Sequence, residues 1–283
     1  MSKVLIYDCD GVLGDTEQYG HLVAFNQMWR ELGVPWQWSV EEYGRKLKIG
    51  GGKERMSSLF AEADFLRVFT PPAGEAERKE LVAAWHKRKS AIYKEIVLSG
   101  RIPPRSGVKR LAQGALDRGW ILAVASTSAQ ESVEAVLRTV MGEATAARFS
   151  LLLAGDVVQT KKPAPDIYLL TAERLAVAPA DCVVIEDSNN GVVAAASAGM
   201  KCVVTVNGYT REEDFSQADI VLSCLGDPGG EVCQVLANRS AACPGVCFTV
   251  DDLESVLAGS PACRVLSSVV GGGAEMEALP KGG

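Results

Sequence analysis

The chain has 283 residues, is 47% hydrophobic and 23% charged, and carries a formal net charge of −6. That balance is ordinary for a soluble globular protein, and the length suits one large domain or two unequal ones. The acidic surplus offers no field for nucleic acid or an anionic membrane, and no apolar run approaches the ~20 residues that span a bilayer, so any anionic ligand must be held by a local basic cluster.

Met1-Ser2-Lys3 runs straight into a strand-like segment, Val4–Tyr7, so no signal or transit segment is expected within the chain. From Glu17 to about Leu98 only helical patterning follows. His21–Leu32 places Leu22, Phe25, Met28, Trp29 and Leu32 three or four residues apart, and Ala76–Leu98 does the same with Leu81, Trp85, Ile92 and Ile96. "SGRIPPRSGV" at 99–108 reads as a return linker, because its prolines forbid a continuous helix. Helix-like stretches then alternate with short apolar runs. The helices are expected at Val108–Arg118, Gln130–Val140 and Ile167–Leu175. The strands are expected at Ile121–Ala125, Leu151–Ala154, Val183–Ile185, Val203–Val206 and Ile220–Leu222. Continuous rather than alternating apolar runs suit parallel strands covered on both faces, so the pattern predicts a doubly wound α/β sheet with an all-helical insertion after its first strand. From about Gly226 the pattern decays, and 226–262 reads as a loosely ordered appendage with the last ~20 residues disordered. Five of the eight cysteines fall between 224 and 263, with no CxxC pair. A structural zinc site is therefore not expected, and reduced buried thiols are, with the C-terminal ones left open.

Candidate chemistry gathers at four strand ends. "LIYDCDGVLGDTE" puts Asp8, Asp10, Asp15 and Glu17 within ten residues. In open parallel sheets the C-terminal edge of the strands is where ligands bind. A calcium loop starting at Asp8 would need a ligand at Val12 and glycine at Leu13, so that reading fails. After the second strand come Ser126, Thr127 and Ser128, small hydroxyls that suit either a phosphate cradle or a simple helix cap. Lys162 precedes Pro163 and is biased to an extended backbone. Glu186 and Asp187 end a further strand. Carboxylates at two strand ends describe a Mg²⁺ site with few protein ligands, and a lysine and hydroxyls beside it describe a phosphate site.

"DCDGVLGDTE", "STS", "KKPAPD" and "EDSNNG", in that order, resemble the four motifs of the haloacid dehalogenase superfamily of phosphatases. The helical insertion resembles that superfamily's C1-type cap. The resemblance covers roughly 1–225 and implies a Rossmann-like core at 1–16 and 101–228, a cap at 17–100 and an appendage at 229–283. It implies that Asp8 is a nucleophile forming a phosphoaspartate, and that Asp10 is the general acid and base with a carboxyl raised towards neutrality. Ser126, the Thr127 amide and Lys162 would grip the phosphate, and Mg²⁺ would sit on Asp8, the Asp10 carbonyl and Asp187, with Glu186 on the metal or its waters. An aspartate at position 10 indicates phosphatase or phosphomutase chemistry rather than that of P-type ATPases or dehalogenases.

Within the insertion, "LKIGGGKERM" at 47–56 is unusual. Its glycines permit close approach to a ligand and Lys48, Lys53 and Arg55 supply cations, so it reads as either a second anion site or a flexible turn. "GHLVAFN", "YGRKLKIGGGKERM", "EAERKE", "AGDVVQTKKPAPDIY" and "GYTREEDFSQAD" are similar to the plastid CbbY-type proteins of plants and algae over about 3–228. That family comprises xylulose-1,5-bisphosphate phosphatases, which remove an inhibitor of Rubisco. The likeness implies a monomeric stromal enzyme of the chloroplast acting on a small sugar bisphosphate. It further implies substrate contacts from Glu17, His21, Lys48, Gly51, Gly52, Lys53, Arg55, Ser126, Thr127, Ser128 and Lys162. β-Phosphoglucomutase, sharing cap class and motifs, and a generic sugar-phosphate phosphatase are the alternatives. A non-enzymatic scaffold is disfavoured, since no catalytic position is missing. No site residue lies beyond 227, so a chain ending there is expected to keep its activity.

Overall fold

The structure, a computed structural model, describes residues 2–49 and 51–259. Seven strands form one sheet in the order β3-β2-β1-β4-β5-β6-β7. They are β1 Val4–Tyr7, β2 Ile121–Ser126, β3 Leu151–Ala154, β4 Cys182–Glu186, β5 Lys201–Thr205, β6 Ile220–Leu222 and β7 Val235–Asn238. The first six pair in parallel, as their unbroken apolar runs predict, and β7 lies antiparallel on β6. Along β1 the side chains divide by period two. Leu5 and Tyr7 join one core cluster, and Val4 and Ile6 join the other. The first cluster takes in α6 (Val108–Asp117), α7 (Gln130–Met141) and α11 (Val250–Ala258), with Ala146 of the short α8 (Glu143–Ala146) packed against it. The second takes in α9 (Asp166–Leu175) and α10 (Asn189–Ser197), so the sheet is covered on both faces.

Among the described residues, the elements between β1 and β2 are all helices. A π-helical turn, Glu17–Leu22, leads directly into α1 (Val23–Glu31). Then come α2 (Val40–Leu47), α3 (Gly52–Ser58), α4 (Ala63–Val68) and the long α5 (Glu75–Leu98). Ser39 opens α2 with a reciprocal capping box to Glu42, which fixes where that helix starts. The insertion's interior is aromatic: Phe25, Trp29, Trp38 and Tyr43 pack as one group, with Trp29 and Trp38 edge-on at 4.6 Å between centroids. Of the expected helical stripes, Leu22, Phe25, Met28 and Trp29, and then Trp85, Ile92 and Ile96, are buried, whereas Leu32 at the end of the first stripe is exposed.

The segment 226–259 departs from the loosely ordered appendage expected of it. It carries β7 and α11, and Phe248, Leu253 and Val256 are fully buried in the first core cluster. Arg110 donates to the carbonyls of Leu225, Gly226 and Phe248, and Asp227 accepts from the Gly107 amide at 2.7 Å. Thr249 and Asp252 cap α11 reciprocally. The apolar positions are spaced among glycines and prolines, which hid them from a reading by periodicity. Cys9, Cys182, Cys202, Cys224, Cys233 and Cys247 are free and buried. Gly50, Cys263 and the terminal stretch for which disorder is expected lie outside the described residues.

Because this segment completes the core, Phe248→Ala should cost roughly 3–5 kcal/mol, read from the denaturant midpoint. A chain ended at 227 should lose cooperative unfolding altogether, and an unchanged midpoint in either protein would show that the segment is not integral.

Candidate active site

β1 and β4 are neighbours in the sheet, with Tyr7 opposite Ile185, and the Asp8 amide donates to the Ile185 carbonyl at 3.0 Å. Chain order reverses across this pair, since β2 and β3 lie on one side of β1 and β4 to β7 on the other. Such a switch point leaves a crevice beyond the strand ends. Asp8, Glu186 and Asp187 enter it together, each with a ligand oxygen within 4.8 Å of the others. Gly11 makes the approach possible. It sits at φ +76, and a Cβ there would lie 2.1 Å from Asp187 Oδ2.

Lys162 sits at the centre of this group. Its Nζ donates to Asp8 Oδ1 at 2.8 Å, to Glu186 Oε1 at 2.7 Å and to the Ala125 carbonyl at 3.1 Å. Tyr168 donates to the same Glu186 oxygen at 2.6 Å, while the Ser188 hydroxyl and the Asp187 amide donate to the other. Burial opposes ionisation of Glu186, yet the Lys162 charge and these donors hold its carboxyl below the ordinary value. Asp8 has less help. Burial pushes its carboxyl up to about 7, with Lys162 opposing and Glu186 and Asp10 repelling. Asp187 is driven well above the carboxylate range by burial and by repulsion from Glu186 and Asp8. Two of three clustered carboxyls are therefore costly to ionise with protein charges alone. A divalent cation on hard carboxylate oxygens relieves that cost, so the residues present fit a metal ion of the Mg²⁺ type.

Asp10 faces another way. Thr16 Oγ1 donates to its Oδ1 at 2.6 Å, Tyr93 OH to the same oxygen at 3.3 Å, and Ser128 Oγ to its Oδ2. His21 Nε2 lies 3.4 Å from Oδ1, its Nδ1 pairs with Lys89 Nζ at 2.6 Å, and its ring stacks on Tyr93. Burial alone would raise the Asp10 carboxyl, but the hydrogen bond and charge of His21, with Ser128 and Thr16, outweigh it and hold Asp10 well below the usual range. The expectation of a carboxyl near neutrality is corrected on this point. A crowd of acids raises a carboxyl only where donors do not outnumber them.

The remaining expected residues divide. Ser126 is buried and its Oγ accepts from the Ser128 amide at 3.2 Å, while the Ser128 hydroxyl reaches Asp10. Glu17 accepts from Tyr43 OH at 2.5 Å. Arg55 donates to the Ile49 carbonyl at 3.0 Å and to Tyr43 OH at 3.2 Å, so part of its donor set serves the insertion itself. Lys48, Gly51 and Lys53 are exposed, and Gly52 packs near His86 and Phe25. The hydrogen bond and charge of Lys161, helped by the charge of Lys53, hold the Asp156 carboxyl below its usual value.

Thr16, Lys89, Tyr93, Tyr168 and Asn207 escaped the sequence reading. Lys89 had a signal, since it stands four residues after Trp85 and four before Tyr93 in the apolar stripe of α5, where a lysine is out of place. It is 7% exposed, and burial lowers its ammonium to about 8 against the pull of Glu17 and Asp10. Asn207-Gly208 is a turn dipeptide directly beyond β5, and nothing in the sequence says that its amide reaches Asp187.

A strand-end acid cluster beside an opposing lysine, under a helical insertion, defines a phosphatase class, and the chain belongs to it: residues 2–199 match the haloacid dehalogenase-like hydrolases. Among its relatives is the CBBY-like protein of Arabidopsis thaliana, 45% identical over 82% of this chain and 72% of that one. Among solved structures, CbbY from Rhodobacter sphaeroides is 38% identical, covering 79% of this chain and 95% of that one with a TM-score of 0.66. β-Phosphoglucomutase of Bacillus subtilis is 27% identical over 80% of this chain and 91% of that one. No described helix is long and apolar enough to cross a membrane.

The sign of the Asp8 shift has a consequence for stability. A carboxyl held near 7 when folded and ~3.9 when unfolded destabilises the fold progressively as pH rises through that window. In metal-free protein, Asp8→Asn should therefore raise the melting temperature by a few degrees at pH 8, and the gain should shrink at pH 5. A gain that grows towards acid would contradict the assignment.

Proposed function

We propose that the chain is a Mg²⁺-dependent phosphatase that converts xylulose 1,5-bisphosphate to xylulose 5-phosphate in the chloroplast stroma. The observation that carries the substrate is the likeness to a variant of CbbY from Rhodobacter sphaeroides solved in complex with xylulose 1,5-bisphosphate, again 38% identical with a TM-score of 0.66. Removal of that compound would protect Rubisco, as the resemblance to the plastid family implies.

The chemistry follows from the placement of each group. Lys162 holds Asp8 Oδ1, leaving Oδ2 to attack phosphorus. The bond from phosphorus to the sugar oxygen breaks, that oxygen takes a proton from Asp10, and an acyl phosphate forms on Asp8. Water then attacks the acyl phosphate, gives its proton to Asp10 and releases inorganic phosphate. In the arrangement described, Asp10 is held as the anion, the form that accepts the water proton. To donate in the first step it must enter that step protonated, keeping the proton taken from water in the preceding turnover, with the Thr16 and Ser128 hydroxyls exchanged for the leaving oxygen. Ser126, the Thr127 amide and Lys162 hold the equatorial oxygens, where transition-state charge collects. Asp8, the Asp10 carbonyl and Asp187 would hold the Mg²⁺, with Glu186 fixing the lysine beside it. When bound, the cation offsets the repulsion between the Asp8 carboxylate and the incoming phosphate. The helical insertion acts as a cap, with Glu17 and His21 at its base and the Gly51–Gly52 turn, Lys48, Lys53 and Arg55 receiving the second phosphate.

Two outcomes are expected. Asp8→Asn, and chelation of Mg²⁺ from the wild type, should each abolish phosphate release from xylulose 1,5-bisphosphate, and turnover surviving either treatment would refute the nucleophile or the metal. Lys53→Ala should lower kcat/KM for the bisphosphate about ten- to a hundredfold, the worth of a charge-assisted hydrogen bond. Hydrolysis of p-nitrophenyl phosphate, which has no distal anion, should change only a few-fold. Equal losses on both substrates would show that Lys53 does not grip a distal phosphate. Conversion of glucose 1-phosphate to glucose 6-phosphate faster than phosphate release from the bisphosphate would favour the mutase instead.

A further inference from the structure

We propose that the turn Asn207–Thr210 is a strut joining the acidic cluster to the helical cap, and that Tyr209 on it is a positioning residue for the sugar end of the substrate. The inference rests on the sugar-phosphate phosphatase reading above and adds to it a residue that contacts neither the reacting phosphate nor the metal site.

The turn leaves the end of β5 and is fixed from within. Asn207 Oδ1 accepts from the Tyr209 amide at 2.8 Å and the Thr210 amide at 3.2 Å, and Thr210 Oγ1 accepts from the Asn207 amide at 3.1 Å. With its acceptor spent on the turn, the Asn207 side chain turns its donor to Asp187 Oδ2 at 2.7 Å. The preceding carbonyl, Val206, accepts from Arg105 Nη2 at 2.6 Å, and the Arg105 amide donates to the Leu13 carbonyl. The turn is thereby tied to the acidic cluster and to the segment by which the chain returns from the cap.

Its far end touches the cap. The Tyr209 ring meets the Tyr43 ring edge-on, with centroids 5.9 Å apart at 82°. The neighbour of Tyr43 on α2 is Gly44, where a Cβ would lie 3.1 Å from Tyr209 Cδ1. The ring therefore seats against bare backbone. Tyr43 in turn donates to Glu17 and accepts from Arg55, the two cap groups expected to meet the sugar and its distal phosphate. A continuous path of contacts thus runs from Asp187 through Asn207, Tyr209 and Tyr43 to Glu17 and Arg55. The Tyr209 hydroxyl is buried without a partner, so the path runs through the ring alone.

That division of labour sets the test. Steady-state constants are measured for the sugar phosphate that the chain hydrolyses fastest and for p-nitrophenyl phosphate. Tyr209→Ala should lower kcat/KM for the sugar phosphate about three- to tenfold, mainly through KM, while p-nitrophenyl phosphate stays within about twofold, the scale of one lost aromatic pair. Tyr209→Phe should restore both constants. If Tyr209→Ala fails to fold, Gly44→Ala, which crowds the ring from the other side, should give the same selective loss. The proposal is overturned if the folded variant slows both substrates equally or neither, or if Tyr209→Phe is as damaging as Tyr209→Ala. Should the wild type leave xylulose 1,5-bisphosphate untouched, the substrate assignment falls on its own, and the ratio between the two substrates still decides the strut.

Discussion

The arrangement of this protein turns on the cost of burying Asp8, Glu186 and Asp187 beside one another. Each is hydrated in an unfolded chain, and burial at the ends of two adjacent strands removes most of that hydration. Lys162 meets part of the debt by bridging Asp8 and Glu186. Tyr168, Ser188 and the Asp187 amide serve Glu186, and Asn207 serves Asp187. Asp8 and Asp187 are left under-compensated, and their raised carboxyls mark where an added cation would act. A structural ion pair would be satisfied internally. This cluster is not, and the deficit is one that a bound cation would relieve.

Asp10 shows the opposite solution two residues away. Its donors come from the segment after β1 (Thr16), the start of the helical insertion (His21), its long helix α5 (Tyr93) and the turn after β2 (Ser128). Two carboxylates in one motif thus have opposed environments, one pushed towards neutrality and one held ionised. Separate environments for two acids are the usual physical basis for separate chemical roles. Two of these four partners of Asp10, His21 and Tyr93, belong to the helical insertion, whereas the partners of Lys162 (Asp8, Ala125 and Glu186) lie at strand ends.

The core of the fold was legible because parallel strands buried on both faces must be apolar throughout, and Val4–Tyr7, Val183–Ile185 and Ile220–Leu222 stand out as such runs. The motif acids were legible for the reverse reason, since charge beside an apolar run has a local cost that the sequence displays. β7 and α11 were not legible. β7 is an edge strand with exposed side chains, and α11 buries only a few residues set among turn-forming ones.

What the sequence determined by itself was the six parallel strands, the inserted helices and the set of acids, lysine and hydroxyls at the strand ends, because each depends on neighbours within a few residues. What only the tertiary structure decided was which partner each charge meets. Asn207 reaches Asp187, Lys89 reaches His21, and Tyr209 seats on Gly44 across separations that no local pattern records. The direction of the Asp10 shift was decided there as well. A carboxyl responds to the balance of donors and charges within hydrogen-bond reach, and that balance exists only once the cap and core have packed together.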